Sequence, residues 1–277
     1  MNISIDPVAF TIGPVSIRWY GIFIALAIVW IVIWLLWRMK KGAELSYDTI
    51  FTAALVGIPS GVIISRLLHV LDNIVVAKLH PEIGGVIDYT QYPGRIFGFE
   101  GLTAYGAVLG AALGVWIYCK FAKVDIAYFS HIIAPAVISA QAIGRIGCLL
   151  NGCCYGVVCN LPWGIEYTNP AAEAAGRGLV HPTQIYEIIY NLIVFGVLWK
   201  LMSKVRPDGS LFLIYLALYS AWRIGIDFLR DTNPYFFGLG QAQVIGIIVL
   251  AITIPVLVRR MLRAKTDKPL QQELEVS

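Results

Sequence analysis

Seven apolar runs, each about 20 residues long, occupy most of this chain and are separated by shorter polar connections. A helix of about 20 residues spans the roughly 30 Å hydrocarbon core of a bilayer. Because backbone groups in lipid must be hydrogen-bonded within their own segment, each run is expected to form a helix. The pattern therefore predicts an all-α polytopic membrane protein with about seven transmembrane helices. The runs lie at about 19–38, 49–71, 101–121, 126–143, 184–202, 211–229 and 240–262.

The composition excludes an ordinary soluble domain. Hydrophobic residues make up 58% of the 277 residues and charged residues only 14%, against roughly 25% charged in soluble globular chains. No connection exceeds about 40 residues, which leaves no room for a separate soluble domain. We therefore predict a single transmembrane domain over 1–263, followed by a polar tail over 264–277.

The distribution of Lys and Arg predicts the orientation, because basic residues resist translocation across the membrane. One set of alternate connections carries about twice as many basic residues as the other, which predicts an N-terminus outside and a cytoplasmic C-terminal tail. The two longer connections, at about 72–100 and 144–183, then lie on the outer face, where we expect the functional site. The cytoplasmic blocks explain the net charge of +4. No basic run is interleaved with aromatic residues, so no nucleic-acid partner is expected.

Small residues recur at every fourth position in two of the runs. Faces of this kind let helix backbones approach closely in lipid, so we interpret them as packing surfaces rather than as catalytic groups. They are Gly57, Gly61 and Ser65 in the second run and Gly106, Gly110 and Gly114 in the third.

Several ionisable residues fall inside predicted helices, where each costs roughly 2.5–3.5 kcal/mol at the membrane centre and therefore needs a partner. Arg223 and Asp227 are four residues apart and can pair on one helical face. A structural ion pair and a functional site both fit this spacing. Arg66 and His69 also share a face, and we interpret His69 as a packed, hydrogen-bonded side chain rather than a catalyst. Glu187 lies in the fifth run.

The segment 144–156 combines four glycines with Arg145 and Asn151 where an apolar run meets the predicted outer surface. Glycine permits close approach of the backbone to a polar group. An arginine fork binds two phosphate oxygens at once, and lipid phosphates lie at this depth. Arg223 and Arg230 are predicted at the same level. The segment therefore predicts a site for the phosphate of a lipid headgroup.

This segment resembles the signature of the prolipoprotein diacylglyceryl transferases. Other blocks resemble that family in the same order, and together they span about residues 18–250. Any one block is a weak signal, whereas the blocks in order on seven predicted helices are specific. They are Arg18–Gly21, Ser65–Leu67, Glu100–Gly106, His181–Glu187, Tyr219–Arg230 and Gly240–Gln241.

The resemblance implies a transferase of the bacterial cytoplasmic membrane with its active site toward the outer leaflet. Such an enzyme moves the diacylglyceryl group of phosphatidylglycerol to the lipobox cysteine thiol of an exported prolipoprotein, the first step of lipoprotein maturation, and releases glycerol phosphate. No cofactor or metal is expected. The resemblance implies Arg145, Arg223, Tyr105 and Asp227 as catalytic residues and Tyr20, Arg66, Asn151, Gly152, Tyr219, Arg230, His181, Gln184 and Glu187 as substrate-binding residues.

The chemistry assigns roles to the implied catalytic residues. The charge of the departing phosphate needs stabilisation, for which Arg145 and Arg223 are the candidates. Many family members have a histidine where this chain has Tyr105, so Tyr105 is interpreted as orienting the nucleophile or the lipid rather than acting as a base. Asp227 is either the base or the partner of Arg223.

Four cysteines stand in or just after the signature segment. Cys148 and Cys153 occupy positions where many relatives have Asn and Glu, and Cys154 and Cys159 follow. On an oxidising outer face they could form disulfides, the favoured interpretation, remain free thiols, or bind a metal without a standard zinc spacing. Cys119 is expected to be free.

Two other classes of function fit parts of the sequence. A membrane thiol–disulfide oxidoreductase would use Cys153 and Cys154 but leaves Arg145 and Arg223 unexplained. A transporter of an anionic solute would need helix breaks near the membrane centre, which Pro59 and Pro135 permit without requiring them.

Overall fold

The computed structural model describes residues 1–79, 87, 89–92, 94, 96, 103–230, 234–236 and 238–276. Within these residues the chain forms seven helices, six of which are long and apolar enough to cross a membrane, while the seventh, α3, is a shorter apolar helix. The predicted all-α polytopic fold is therefore confirmed. The helices are α1 (Trp19–Lys40), α2 (Tyr47–Leu79), α3 (Ala104–Phe121), α4 (Ile126–Asn151), α5 (Thr183–Leu201), α6 (Ser210–Asp227) and α7 (Gln241–Val276).

Short strands pair in the connections. β2 (Val8–Ile12) and β3 (Val15–Arg18) form an antiparallel hairpin just before α1. β1 (Asn2–Ile3) lies parallel to β4 (Glu166–Tyr167), so the N-terminal residues are hydrogen-bonded to the connection between α4 and α5. β5 (Pro234–Phe236) pairs with β6 (Leu239–Gly240) before α7.

Helix α4 ends at Asn151, so the connection predicted at 144–183 is shortened to 152–182. Gly144 and Gly147, the signature glycines before that point, are helical, and Gly147 permits close packing rather than a turn. A Cβ on Gly147 would lie 3.1 Å from the Cα of Tyr20 in α1. The sequence-based end of this helix was placed too early, because glycine occurs both in turns and where two helices pack closely.

The other predicted connection and the tail also differ from expectation. Helix α2 continues to Leu79, into the connection predicted at about 72–100. Most of the rest of that connection, and residues 100–102 of the family-like block before α3, lie outside the described residues. Helix α7 continues to Val276 instead of ending near 262, although its apolar part ends at Ala264.

The chain divides into two compact units, residues 1–38 with 127–277, and residues 39–126. In the second unit α2 packs on α3 along the two small-residue faces. The hydroxyl of Ser65 donates to the carbonyl of Thr103 at 2.7 Å, and the Thr103 hydroxyl donates back to the Ser65 carbonyl at 3.2 Å. A Cβ on Gly61 would lie 3.0 Å from the Ala107 carbonyl oxygen, and one on Gly110 would lie 3.0 Å from the Gly61 Cα, so the predicted packing role of the small residues is confirmed.

In the first unit an aromatic cluster joins α1 to α4 and α5. The ring of Trp34 lies 5.5 Å from the rings of both Phe195 and Trp199. Its indole N–H donates to the carbonyl of Ile132 at 3.0 Å, and the indole of Trp30 donates to Ser139 at 2.8 Å. These polar contacts fix the rotation of α1 against α4, the helix that carries Arg145.

We expect Gly110→Ala to destabilise the α2–α3 pair by roughly 1–3 kcal/mol, because overpacking forces backbone shifts. The new Cβ would lie 2.6 Å from the Cβ of Ile64 and 3.0 Å from the Cα of Gly61. The measurement is the thermal unfolding midpoint in detergent. Gly196→Ala is the control, since that α5 glycine has open space around its Cβ position. Equal midpoints for the two variants would contradict the packing interpretation.

Candidate functional site

Four charged side chains from three helices meet inside the first unit. The carboxylate of Glu187 in α5 lies 2.9 Å from the guanidinium of Arg145 in α4 and 3.8 Å from that of Arg223 in α6. Arg223 also pairs with Asp227 one turn further along α6, at 3.4 Å. The spacing prediction for Arg223 and Asp227 is confirmed. Glu187 joins both arginines and is the centre of the cluster.

Burial differs between the positive and the negative members of this cluster. The side chains of Glu187 and Asp227 are 2% and 1% exposed, whereas those of Arg145 and Arg223 are 18% and 11% exposed. Two positive and two negative charges balance, as a buried ionic group requires. The carboxylates are thus enclosed, and the side chain of Arg145 is the most exposed of the four.

Neutral polar groups continue the cluster along the same helices. The hydroxyl of Tyr219 donates to Glu187 at 3.3 Å, and its ring stacks on that of Tyr215 with centroids 6.1 Å apart. The hydroxyl of Tyr215 accepts a hydrogen bond from the side-chain amide of Gln141 at 2.9 Å. Sequence reasoning missed Gln141, although it lies one turn before Arg145 on the same helix.

Asn151 connects the end of α4 to two other segments. Its side-chain oxygen accepts from the guanidinium of Arg18 at 3.4 Å, and its amide donates to the carboxylate of Glu173 at 3.0 Å. Burial raises the pKa of the Glu173 carboxyl above its usual range, and the nearby Cys154 sulfur acts in the same direction. Tyr20, the half-exposed second residue of α1, lies beside this end of α4. Neither Arg18 nor Glu173 was among the predicted site residues.

Residues at the start of α5 hold the connection 152–182 against the bundle. The amide of Gln184 donates to the Cys153 carbonyl at 2.7 Å, and the Thr183 hydroxyl donates to the Cys154 carbonyl at 2.7 Å. The His181 carbonyl accepts from the Gly156 amide at 2.9 Å.

Gly152 and Arg230 extend the same framework. Gly152 has a φ of +68°, a left-handed conformation that glycine adopts without strain. A β-bridge pairs Arg230 with Gly156, and the Arg230 amide donates to the Asp227 carbonyl at 3.2 Å. Both residues therefore shape the backbone at this end of α4, and their roles in substrate binding stay predictions.

Arg66 and Tyr105 belong to the second unit. The guanidinium of Arg66 donates to the carbonyl of Ile96 at 3.0 Å and lies over the ring of Tyr89, 5.3 Å from its centroid. Tyr105 is half-buried in the first turn of α3. His69 contacts the side chain of Asn73, in agreement with a packed, hydrogen-bonded histidine. The assignment of Arg66 and Tyr105 to the site stays a prediction.

All five cysteines are free thiols, so the favoured disulfide interpretation is wrong for this structure. The sulfur atoms of Cys148, Cys153 and Cys154 nevertheless lie within 4.8 Å of one another. Hydrogen bonds from Cys148 and Cys153 lower the pKa of the Cys154 thiol well below its usual range, and the guanidinium of Arg145 acts in the same direction. The hydrogen bonds to Cys148 and Cys154 raise the pKa of the Cys153 thiol.

The arrangement suits recognition of an anion beside Arg145. Glu187 and the Tyr219 hydroxyl both bond to this guanidinium, and its second terminal nitrogen lies 3.8 Å from the Cys148 sulfur, a weak acceptor. A phosphate oxygen is a far stronger acceptor for these N–H groups. The cluster therefore holds a guanidinium in a fixed orientation with donor capacity left for a ligand.

We expect Glu187→Ala to destabilise the protein by roughly 3–5 kcal/mol, because removal of one partner leaves buried charges uncompensated. The measurement is again the unfolding midpoint in detergent. Asp72→Ala is the control, an exposed carboxylate of α2 whose loss should change stability by no more than about 0.5 kcal/mol. A Glu187→Ala protein as stable as the parent would show that the arginines do not depend on this carboxylate.

Comparison with known proteins identifies the family. A family model described as prolipoprotein diacylglyceryl transferase matches residues 7–259. A protein of Dehalococcoides mccartyi strain BAV1 is 45% identical, over 96% of this chain and 98% of its own length. Proteins of Clostridium tetani and Symbiobacterium thermophilum are 35% and 33% identical, over 90% and 95% of this chain and 95% of each relative. All three relatives are named phosphatidylglycerol–prolipoprotein diacylglyceryl transferase. This chain therefore belongs to the prolipoprotein diacylglyceryl transferase family.

Proposed function

We propose that this protein transfers the diacylglyceryl group of phosphatidylglycerol to the lipobox cysteine of exported prolipoproteins, with release of glycerol phosphate. The observation that carries the proposal is the buried Arg145–Glu187–Arg223 cluster in a member of this family. The relatives' names support this reaction. They do not support a thiol–disulfide oxidoreductase or a transporter of anionic solutes.

The reaction is a displacement at the glycerol carbon that carries the phosphate ester. The substrate thiol releases its proton, and its sulfur forms a C–S bond to this carbon while the C–O bond breaks. The electron pair of that bond leaves with the phosphate oxygen, so that the products are the thioether, glycerol phosphate and one proton. The leaving group therefore gains one negative charge in the transition state. Fixed donors aimed at developing charge are usually the largest contribution to catalysis. Arg145 and Arg223 supply such donors.

In this proposal Glu187 orients the two guanidinium groups instead of binding substrate directly. Its two oxygens are engaged by Arg145 and Arg223, and the Tyr219 hydroxyl donates to one of them. Because the side chain is 2% exposed, it keeps one geometry as substrate binds and product leaves. Preorganised groups need no costly rearrangement in the transition state.

The remaining predicted residues receive their roles from position. Tyr20 and Asn151 lie where α1 and α4 meet and are proposed to contact the headgroup. His181, Gln184 and Gly152 shape the connection that borders this region. Arg230 follows α6 and adds positive charge. Tyr105 is proposed to orient the nucleophile or the lipid, and Arg66 to contribute a further headgroup contact.

The protein is a multi-pass membrane protein, and we propose that it resides in the cytoplasmic membrane with its N-terminus outside. The excess of basic residues in one set of connections supports this orientation. The Arg145 end of α4 would then face the outer leaflet, where exported prolipoproteins present their lipobox cysteine. The tail over 264–277 would be cytoplasmic.

The decisive assay combines the purified full-length protein with phosphatidylglycerol and a lipobox peptide. We expect mass spectrometry to find a peptide heavier by one diacylglyceryl group, and glycerol phosphate in equal amount. A peptide with serine in place of the lipobox cysteine is the control and should gain nothing. Absence of the modified peptide, with lipid and peptide both verified as bound, would exclude the transferase function.

Arg145→Lys should lower kcat/KM by roughly 10²-fold or more, the usual effect of losing a donor to developing charge. The ammonium keeps the charge but cannot bind two phosphate oxygens with a planar fork. Arg206→Lys, at an exposed arginine in the α5–α6 connection, is the matched control and should leave kcat/KM unchanged. Near-normal turnover of Arg145→Lys would exclude bidentate phosphate binding by this residue.

Asp227→Asn separates a general base from a positioning residue. Its carboxylate is 1% exposed and contacts Arg223, so we expect it to orient that guanidinium. The variant should then lose about tenfold in kcat while the pH–rate profile keeps the shape of the parent's, because another group accepts the thiol proton. The measurement is kcat against pH at saturating phosphatidylglycerol. Loss of the acidic limb in Asp227→Asn would instead make Asp227 the base.

A further inference from the structure

The three clustered thiols of Cys148, Cys153 and Cys154 take no part in the proposed reaction, whose attacking thiol belongs to the substrate. Each sulfur lies within 4.8 Å of the other two. The cluster combines the last turn of α4 with the first residues of the connection that follows. Because the three thiols come from two segments of the chain, only a folded backbone brings their sulfur atoms together.

The backbone at this point is shaped to gather the sulfurs. Gly152 and Cys154 both have left-handed conformations, with φ of +68° and +63°. Such a conformation is uncommon for a residue with a side chain, and persists only where the surroundings impose it. Here the Cys153 amide donates to the Cys148 carbonyl at 3.1 Å. The chain thus turns back on the helix end, beside the sulfur of Cys148.

Contacts from α5 hold the turn in place. The carbonyl of Cys153 accepts from Gln184 and that of Cys154 accepts from Thr183, both at 2.7 Å. Gln184 and Thr183 are themselves 1% and 2% exposed. Two buried side chains therefore fix the backbone of two of the three cysteines, so that the sulfurs need little further ordering to bind a common ligand.

The spacing of the sulfurs fits a metal ion. With metal–sulfur bonds of about 2.3 Å, neighbouring sulfurs around one ion are separated by about 3.8 Å in tetrahedral and about 4.0 Å in trigonal geometry. The three sulfur atoms lie within 4.8 Å of one another, so small side-chain rotations bring them to these separations. Thiolate ligands select soft ions such as Zn²⁺ and Cu⁺ over Mg²⁺ or Ca²⁺.

The local charge also suits a thiolate site. Three thiolates carry three negative charges, of which Zn²⁺ neutralises two and Cu⁺ one. The guanidinium of Arg145, which also pairs with Glu187, lies 3.8 Å from the Cys148 sulfur, so a positive group stands beside the thiolates. The three thiol protons are released to solvent as the ion binds.

We propose that Cys148, Cys153 and Cys154 bind one thiophilic d¹⁰ cation, Zn²⁺ or Cu⁺, through three thiolates. The ion connects the end of α4 to the turn that Gln184 and Thr183 hold against α5. Arg145 lies one turn before Cys148, and Glu187 one turn after Thr183, so the ion stabilises the frame that carries this ion pair. The site does not depend on the transferase reaction.

The test uses the full-length protein in detergent, purified with a phosphine reductant and freed of metal. Zn²⁺ and Cu⁺ are added in separate arms, each in competition with a chromophoric chelator, and bound metal is counted by mass spectrometry. We expect one ion per chain in at least one arm and an increased unfolding temperature. X-ray absorption of that sample should show three sulfur neighbours at about 2.3 Å.

Serine substitutions locate the ion. Cys153→Ser and Cys154→Ser should each lower the affinity at least tenfold, since each removes one ligand. The matched controls are Cys119→Ser and Cys159→Ser, which replace the two cysteines outside the cluster and should bind as the parent does. The metal count and the X-ray absorption are measured on the parent protein, so the proposal can be tested even if a serine variant misfolds.

Three results would overturn the proposal. The first is absence of stoichiometric binding in both arms under reducing conditions. The second is a bound ion with fewer than three sulfur neighbours, or one that the controls remove as effectively as Cys153→Ser. The third is a disulfide between two of the three cysteines in protein isolated without reductant, which would make the cluster a redox pair in place of a cation site.

Discussion

The interaction on which the rest of the structure depends is the engagement of two arginines by Glu187 inside an apolar helix bundle. A membrane interior tolerates charge only when it is paired. Glu187 pairs with Arg145 and Arg223 from two other helices, so these ion pairs constrain the relative positions of α4, α5 and α6. A shift of any of the three would expose an unpaired charge to lipid.

The segments around the cluster help to hold these helices in position. Asn151 connects the end of α4 to Arg18 and Glu173. Strand β1 holds the N-terminal residues against the connection 152–182 through β4. Because the carboxylates are enclosed while Arg145 retains exposure, the bundle offers positive charge to a ligand even though the cluster is neutral.

Particular residues show how far sequence reasoning reached. It predicted the pairing of Arg223 with Asp227, because four residues in a helix make one turn. It placed Arg145 in a loop, because glycines at 144 and 147 also occur in turns, whereas here Gly147 allows α4 to pack on α1. It did not predict that Glu187 joins Arg145 and Arg223, since nothing in the order of residues shows that one carboxylate lies between two arginines about 40 residues away on either side.

The sequence by itself determined that the chain is a multi-pass membrane protein, how many helices it forms and which family it belongs to. Hydrophobic length and the order of the motifs are properties of a linear chain, and the match over residues 7–259 rests on the same information. The tertiary structure decided which charges meet and which cysteines cluster. Such contacts depend on helix rotation and on backbone turns at Gly152 and Cys154, which packing of several segments sets together. The chemistry of Arg145 and of the three thiols is therefore a property of the fold.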